Sequence, residues 1–176
     1  LQYYEGLLMF KFLLFIFVSL FSLNVLSLEV TLTQGSVKPT PIAITNLFSS
    51  NSDFEKIGKN ISDVISDNLE RSGLFIPIDK KAFIQTNKSL SQQPRFEDWK
   101  VIKAQHLVAG KISGSNGKIS VEFRLYDVFQ QKQLVGRKYE TNEKNWRRIS
   151  HIISDSVFKN ITGEGGYFDT RIVYVA

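Results

Sequence analysis

Few residues in this sequence have the type and spacing that chemistry requires. It contains two histidines, His106 and His151, far apart in the chain. Neither has a second ligand at metal-site spacing, so both read as structural side chains. There is no cysteine, which removes disulfides, thiolate metal ligands and thiol nucleophiles together. That absence does not fix the compartment, since an exported domain with a sufficient core needs no disulfide, but it leaves no acylation site of the bacterial lipoprotein kind. No Gly-rich phosphate loop follows a strand pattern, and no serine stands in a nucleophile elbow. Gly163-Glu164-Gly165-Gly166 comes after a helical pattern, the wrong side for cradling phosphate. Glu97 and Asp98 are neighbours on a short helix and point apart, so they do not share a substrate. Asn60, Asn87 and Asn160 open glycosylation sequons, but Asn60 and Asn160 fall inside helical patterns. Arg147 and Arg148 lack the aromatic platform that single-stranded nucleic acid prefers. The expectation is a protein that is not an enzyme and carries no cofactor or metal.

Composition supports a binding or structural role. Apolar residues make up 43% and charged residues 22% of the 176, ordinary values for one globular domain. The net charge of +5 is compatible with nucleic acid, an anionic surface or an acidic partner. The lysines and arginines are scattered, however, and read as a solvated surface.

The N-terminal stretch reads as an export signal. Phe12–Leu23 is an apolar run preceded by Lys11 and followed by Asn24-Val25-Leu26-Ser27, the order of a cleavable secretory signal. Its rival is an uncleaved anchor, which needs about 20 apolar residues; counted from Leu7 the run nearly reaches that. Met9 just before Phe10-Lys11 makes Leu1–Leu8 read as an upstream extension. Removing residues 1–27 leaves the charge unchanged, because Lys11 and Glu5 leave together. No stable membrane insertion is expected after cleavage.

The elements that follow are legible from periodicity. Leu28, Val30 and Leu32 alternate with Glu29, Thr31 and Thr33, a short half-buried strand within a tail of residues 28–38. Two prolines and Gly35 break it, and Pro41–Leu47 reads as a buried strand. Ser52-Asp53-Phe54-Glu55 is a capping box, followed by the stripe Phe54, Ile57, Ile61, Val64, Ile65 and Leu69 and closed by Gly73. Leu74–Ile78 reads as a strand kept at a sheet edge by Pro77. Phe96–Ala104 reads as a helix with Trp99 and Ile102 inward. His106–Ser113 and Lys118–Val128 form a hairpin through Asn116-Gly117. Ile119, Val121, Phe123 and Leu125 face a dry side, with Ser120, Glu122, Arg124 and Tyr126 on a wet one. A third strand is expected at Gln133–Thr141. A helix is expected from Glu143 to Ile161, with Trp146, Ile149, Ile153, Val157 and Ile161 inward, and a last strand at Phe168–Val175. The fold class is α/β (α+β): a mixed sheet with two or three helices on one face, in an order resembling anticodon-binding domains.

The C-terminal part carries a resemblance. Arg147-Arg148-Ile149-Ser150-His151-Ile152-Ile153-Ser154-Asp155 leads through Ile161-Thr162-Gly163 to Gly166-Tyr167-Phe168-Asp169-Thr170-Arg171-Ile172-Val173-Tyr174-Val175. This resembles the TolB family, in which a basic helix with His and Asp precedes a Gly-x-Phe-x-Thr-Arg-Ile-x-Tyr-Val strand. Arg71-Ser72-Gly73-Leu74-Phe75 and Ala104–Gly110 resemble it too, so the likeness covers Leu28–Ala176. The resemblance implies a periplasmic adaptor of the Tol-Pal envelope system, supporting outer-membrane integrity and cell division. It implies an α/β domain, here residues 39–166, and then a six-bladed β-propeller, of which residues 167–176 would be the first strand and the rest is missing from the sequence. It further implies that the tail engages TolA through Leu28, Glu29, Val30, Thr31, Leu32 and Thr33, and that Pal binds the propeller. β-Augmentation suits such a tail, though it could equally pair with its own domain's sheet. Other readings are an exported α/β binding domain of another kind and a nucleic-acid-binding α/β domain; the export signal argues against the latter, so no nucleic acid is expected as partner.

Overall fold

The computed structural model describes residues 38–85 and 93–170. The tail strand at Leu28–Thr33, the signal and Asn87 lie outside them. The elements run β1 (Thr40–Ile44), α1 (Ser52–Arg71), β2 (Phe75–Pro77), a 3-10 turn (Lys80–Ala82), α2 (Phe96–Val101), β3 (His106–Ser115), β4 (Lys118–Asp127), β5 (Lys132–Asn142), a second 3-10 turn (Glu143–Asn145) and α3 (Trp146–Thr162). They build one five-stranded sheet in the order β2-β1-β3-β4-β5. β1 pairs in parallel with both β2 and β3, whereas β3, β4 and β5 form an antiparallel meander. The mixed sheet with three helices is therefore as expected, and Pro77 does sit on an edge strand.

The hairpin follows its turn chemistry. Asn116 (φ 53°) and Gly117 (φ 72°) both take positive φ between Ser115 and Lys118, the backbone of a type I′ turn whose twist matches the flanking strands. The main core lies between one sheet face and the α1–α3 pair. Ile42, Ile44, Val108, Ile112, Val121, Phe123 and Leu125 meet Ile61, Ile65, Leu69, Ile153 and Val157 there. Each fully buried aliphatic side chain in such a core contributes roughly 1.5–3 kcal/mol. α3 ends at Gly163 in the left-handed conformation (φ 82°).

Several expectations are corrected. The helices do not share one face: Phe96 and Trp99 of α2 pack on the other face against Ala43, Leu107, Ala109, Tyr126 and Val128. Tyr126, expected in solvent, is buried with its ring edge-on to Phe96 at 5.8 Å. The reason is topological. β1→α1→β2 steps one way across the sheet, and β2→α2→β3 steps back past β1. Parallel crossovers share one hand, so the return step carries its helix over the opposite face. α1 is capped by Asn51, not Ser52: Asn51 is extended (φ −111°, ψ 127°) and its Oδ1 accepts the Asp53 N–H at 2.8 Å. Ser52 is already helical, which places Glu55 one position too late to complete a capping box. β1 stops at Ile44, three residues earlier than expected, and Phe48 rejoins the sheet through a single bridge to Lys111. α2 ends at Val101, short of Ala104, and Lys103 takes a positive φ of 61°. Glu143–Asn145 is a 3-10 turn, so α3 begins at Trp146. Phe168 and Asp169 form a bend and Thr170 is not in a strand, and the rest of the expected last strand lies outside the described residues.

Candidate functional site

The polar side chains within the domain are arranged to hold it together. On α1, Gly58 lets the helix approach the loop after β1 so closely that an added Cβ would lie 2.7 Å from the Leu47 carbonyl oxygen. One turn on, Ser62 Oγ accepts the Leu47 N–H (3.2 Å) and donates toward the Thr45 carbonyl (2.8 Å), with the Gly58 carbonyl at 3.0 Å sharing that proton. Between α1 and α3, Asn68 Nδ2 donates to His151 Nδ1 and to Ser154 Oγ, both at 2.9 Å. Ser154 Oγ passes its own proton to the Ser150 carbonyl at 2.9 Å, and Arg71 donates to Asn68 Oδ1 at 2.6 Å. Every member therefore has a partner in the correct donor or acceptor role. A serine beside a histidine invites a nucleophile reading, but Ser154 is fully buried and gives its proton to the Ser150 carbonyl, not to the imidazole.

The other residues singled out from sequence go elsewhere. His106, at the start of β3, is half-buried with its Nδ1 enclosed and unpartnered among the described residues. Burial holds its pKa below the ordinary 6.5 although Asp127 pulls it upward. Glu97 pairs with Lys100 at 2.8 Å and Asp98 with Arg95 at 2.7 Å, so the adjacent carboxylates are separately neutralised. Arg147 lies over the Trp146 ring, 5.1 Å from its centre, and Arg148 pairs with Asp169. Asn60 and Asn160 are both helical, as the patterns around them suggested. Among the described residues no group of three or more His, Cys, Asp or Glu side chains is placed to hold a metal ion. No helix among them is long and apolar enough to cross a membrane.

Among the described residues β2 and β5 are the edge strands of the sheet. β2 is three residues long and contains Pro77; β5 is 11 residues long. A long edge offers unpaired backbone groups to another strand. Beside β5 runs a groove of about 580 Å³. Arg137 and Tyr139 form its sheet side, and Ile152, Ser156 and Lys159 of α3 its helix side. Lys138 is paired with Glu140 at 2.8 Å, whereas Arg137 and Lys159 have no ion-pair partner among the described residues. On the next strand, burial works against ionisation of Glu122. Hydrogen bonds and charge from Lys111 and Arg124 outweigh it and hold the carboxyl below its usual range. The edge is thus charged and solvated, which discourages indiscriminate pairing.

Sequence reasoning missed Asp155 as anything beyond a family signature. Its carboxylate accepts two backbone N–H groups, from Phe168 at 2.7 Å and Asp169 at 3.0 Å. No local pattern reports such a contact, because donor and acceptor are 13 and 14 residues apart.

Known proteins place the chain. Residues 28–134 match the model of the TolB amino-terminal domain. The Tol-Pal system protein TolB of Paramagnetospirillum magneticum (strain ATCC 700264 / AMB-1) is 49% identical over 149 residues, which cover 84% of this chain and 33% of that protein. The chain thus spans about a third of the length of this curated relative. The crystal structure of TolB from Acinetobacter baumannii superposes with a TM-score of 0.63 at 23% identity, covering 75% of this chain and 30% of that one. At that identity the superposition speaks for the fold.

Proposed function

The chain belongs to the TolB family through that family's amino-terminal domain, and from this premise we propose that it is an exported, non-enzymatic adaptor of the Tol-Pal envelope system. In this reading residues 1–27 direct export and are cleaved, the mature protein works in the periplasm, and the system it serves maintains the outer membrane and constriction at division. The observation that carries it is the 49% identity to a Tol-Pal TolB across 84% of the chain. The side-chain network within the domain suits such a role: its hydroxyl, amide and imidazole groups are engaged with one another.

The proposed partner of the tail is TolA, engaged by Leu28, Glu29, Val30, Thr31, Leu32 and Thr33. β-Augmentation is the mechanism, with main-chain hydrogen bonds supplying affinity and the alternate Leu28, Val30 and Leu32 filling pockets on the partner's sheet. The test is deletion of Leu28–Gly35. The shortened protein should keep its circular dichroism spectrum, because the described helices and strands lie within Thr40–Thr162, and should lose calorimetric binding to TolA. Undiminished TolA affinity would place the contact on another surface. Loss of folding would make the tail an ordinary strand of its own domain.

A further inference from the structure

The described residues after α3, 163–170, double back along the helix. After the left-handed turn at Gly163, Gly166 lies against Asp155, two turns earlier. A Cβ added to Gly166 would come within 2.5 Å of Asp155 Cα and 2.7 Å of its Cβ, and closer still to Oδ1. Asp155 Oδ1 then accepts the Phe168 N–H and Oδ2 the Asp169 N–H. Asp169 reaches Arg148 at 3.3 Å, two further turns toward the start of α3. The Phe168 and Tyr167 rings both meet Phe158 edge-on, at 5.8 and 5.7 Å.

The contributions are unequal. Arg148–Asp169 is a partly exposed pair with long distances, a kind that adds little. The carboxylate is different, because hydrogen bonds to an ionised acceptor are about twice as strong as neutral ones. Both oxygens are used, on consecutive amides. Gly166 is required for that geometry, since any side chain there would push the segment off the helix.

We propose that Asp155 is a positioning residue. With Gly166 it locks Gly166–Asp169 onto α3, so that this segment is anchored to the helix rather than forming a flexible joint after Gly163. This stands independently of the adaptor reading.

Amide hydrogen exchange on the 176-residue chain tests it. In wild type, the Phe168 and Asp169 amides should be protected. In Asp155→Ala both should exchange on the order of ten- to a hundredfold faster, as loss of hydrogen bonds to a charged acceptor implies. Asp155→Asn should restore protection at one amide only, because its Nδ2 cannot accept a hydrogen bond. Gly166→Ala should free both amides with the carboxylate still present, while Ile153 and Val157 of α3 keep wild-type exchange. Wild-type protection in Asp155→Ala, or none in the wild type, overturns the proposal. Should Asp155→Ala also loosen Ile153 and Val157, Gly166→Ala decides, and unchanged protection of Phe168 and Asp169 in it would be equally fatal.

Discussion

Asn68 illustrates how far a side chain's role depends on neighbours distant in sequence. Next to Leu69 of the α1 stripe, it bridges α1 to His151 and Ser154, 83 and 86 residues away. Leaving one such buried partner unmet costs about 1–3 kcal/mol, so the amide is part of the helix interface. His106 gives a pH test. Burial depresses its folded-state pKa below 6.5, against a smaller upward pull from Asp127. The unfolded chain takes up the proton near the ordinary value, and the folded chain only at lower pH. The stability that neutral His106 contributes is therefore complete above pH 6.5 and lost as pH falls from there through the depressed folded-state pKa. The urea midpoint of the wild type should drop across that window, and His106→Gln should flatten the slope. An equal slope in the variant would assign the pH dependence to other groups.

Helix α1 separates what a motif promises from what backbone geometry allows. The segment Ser52-Asp53-Phe54-Glu55 satisfies the capping-box pattern, but the cap must be the last non-helical residue, and that is Asn51. Asn51→Ala should accordingly lower stability by about 1 kcal/mol, while Ser52→Ala should change it by less than about 0.5 kcal/mol. Thermal denaturation of the two variants checks the assignment, and the reverse order would return the cap to Ser52. The hairpin's turn and main buried face, by contrast, are legible, because Asn-Gly selects the turn and alternation selects the face, although β3 runs two residues past the expected Ser113 and β4 stops one short of Val128. That alternation misleads only at Tyr126. There α2 covers the opposite face, and nothing within β4 announces a helix that packs from elsewhere.

For the chain as a whole, the expectation concerns Pal. Our reading assigns Pal to a propeller, whose blades are four-stranded sheets. One isolated strand cannot pair its backbone or bury its apolar face, and ordering such a surface during binding would cost conformational entropy. In the structure, Phe168–Thr170 is not a strand and is held along α3. The segment Leu28–Ala176 alone should therefore show no measurable Pal binding, whereas a version extended through downstream blades should bind. Similar affinities in the two would move the Pal site onto the α/β domain.

The sequence alone determined what repeats at short range. The stripes of α1 and α3, the alternation in β4 and the Asn116-Gly117 turn all express burial of one face, which recurs at the local period of a helix or strand. The motif from Arg147 to Val175 carried the family for the same reason, since it is contiguous. Strand order, the second core under α2 and the Asp155 clamp became visible only in three dimensions. Each joins residues far apart along the chain. β1 sits between β2 and β3 because of pairings 35 and 64 residues apart (Thr40 with Phe75, Ile42 with His106). Crossover handedness then sends α2 to the far face, and no window short enough to show a period contains those partners together.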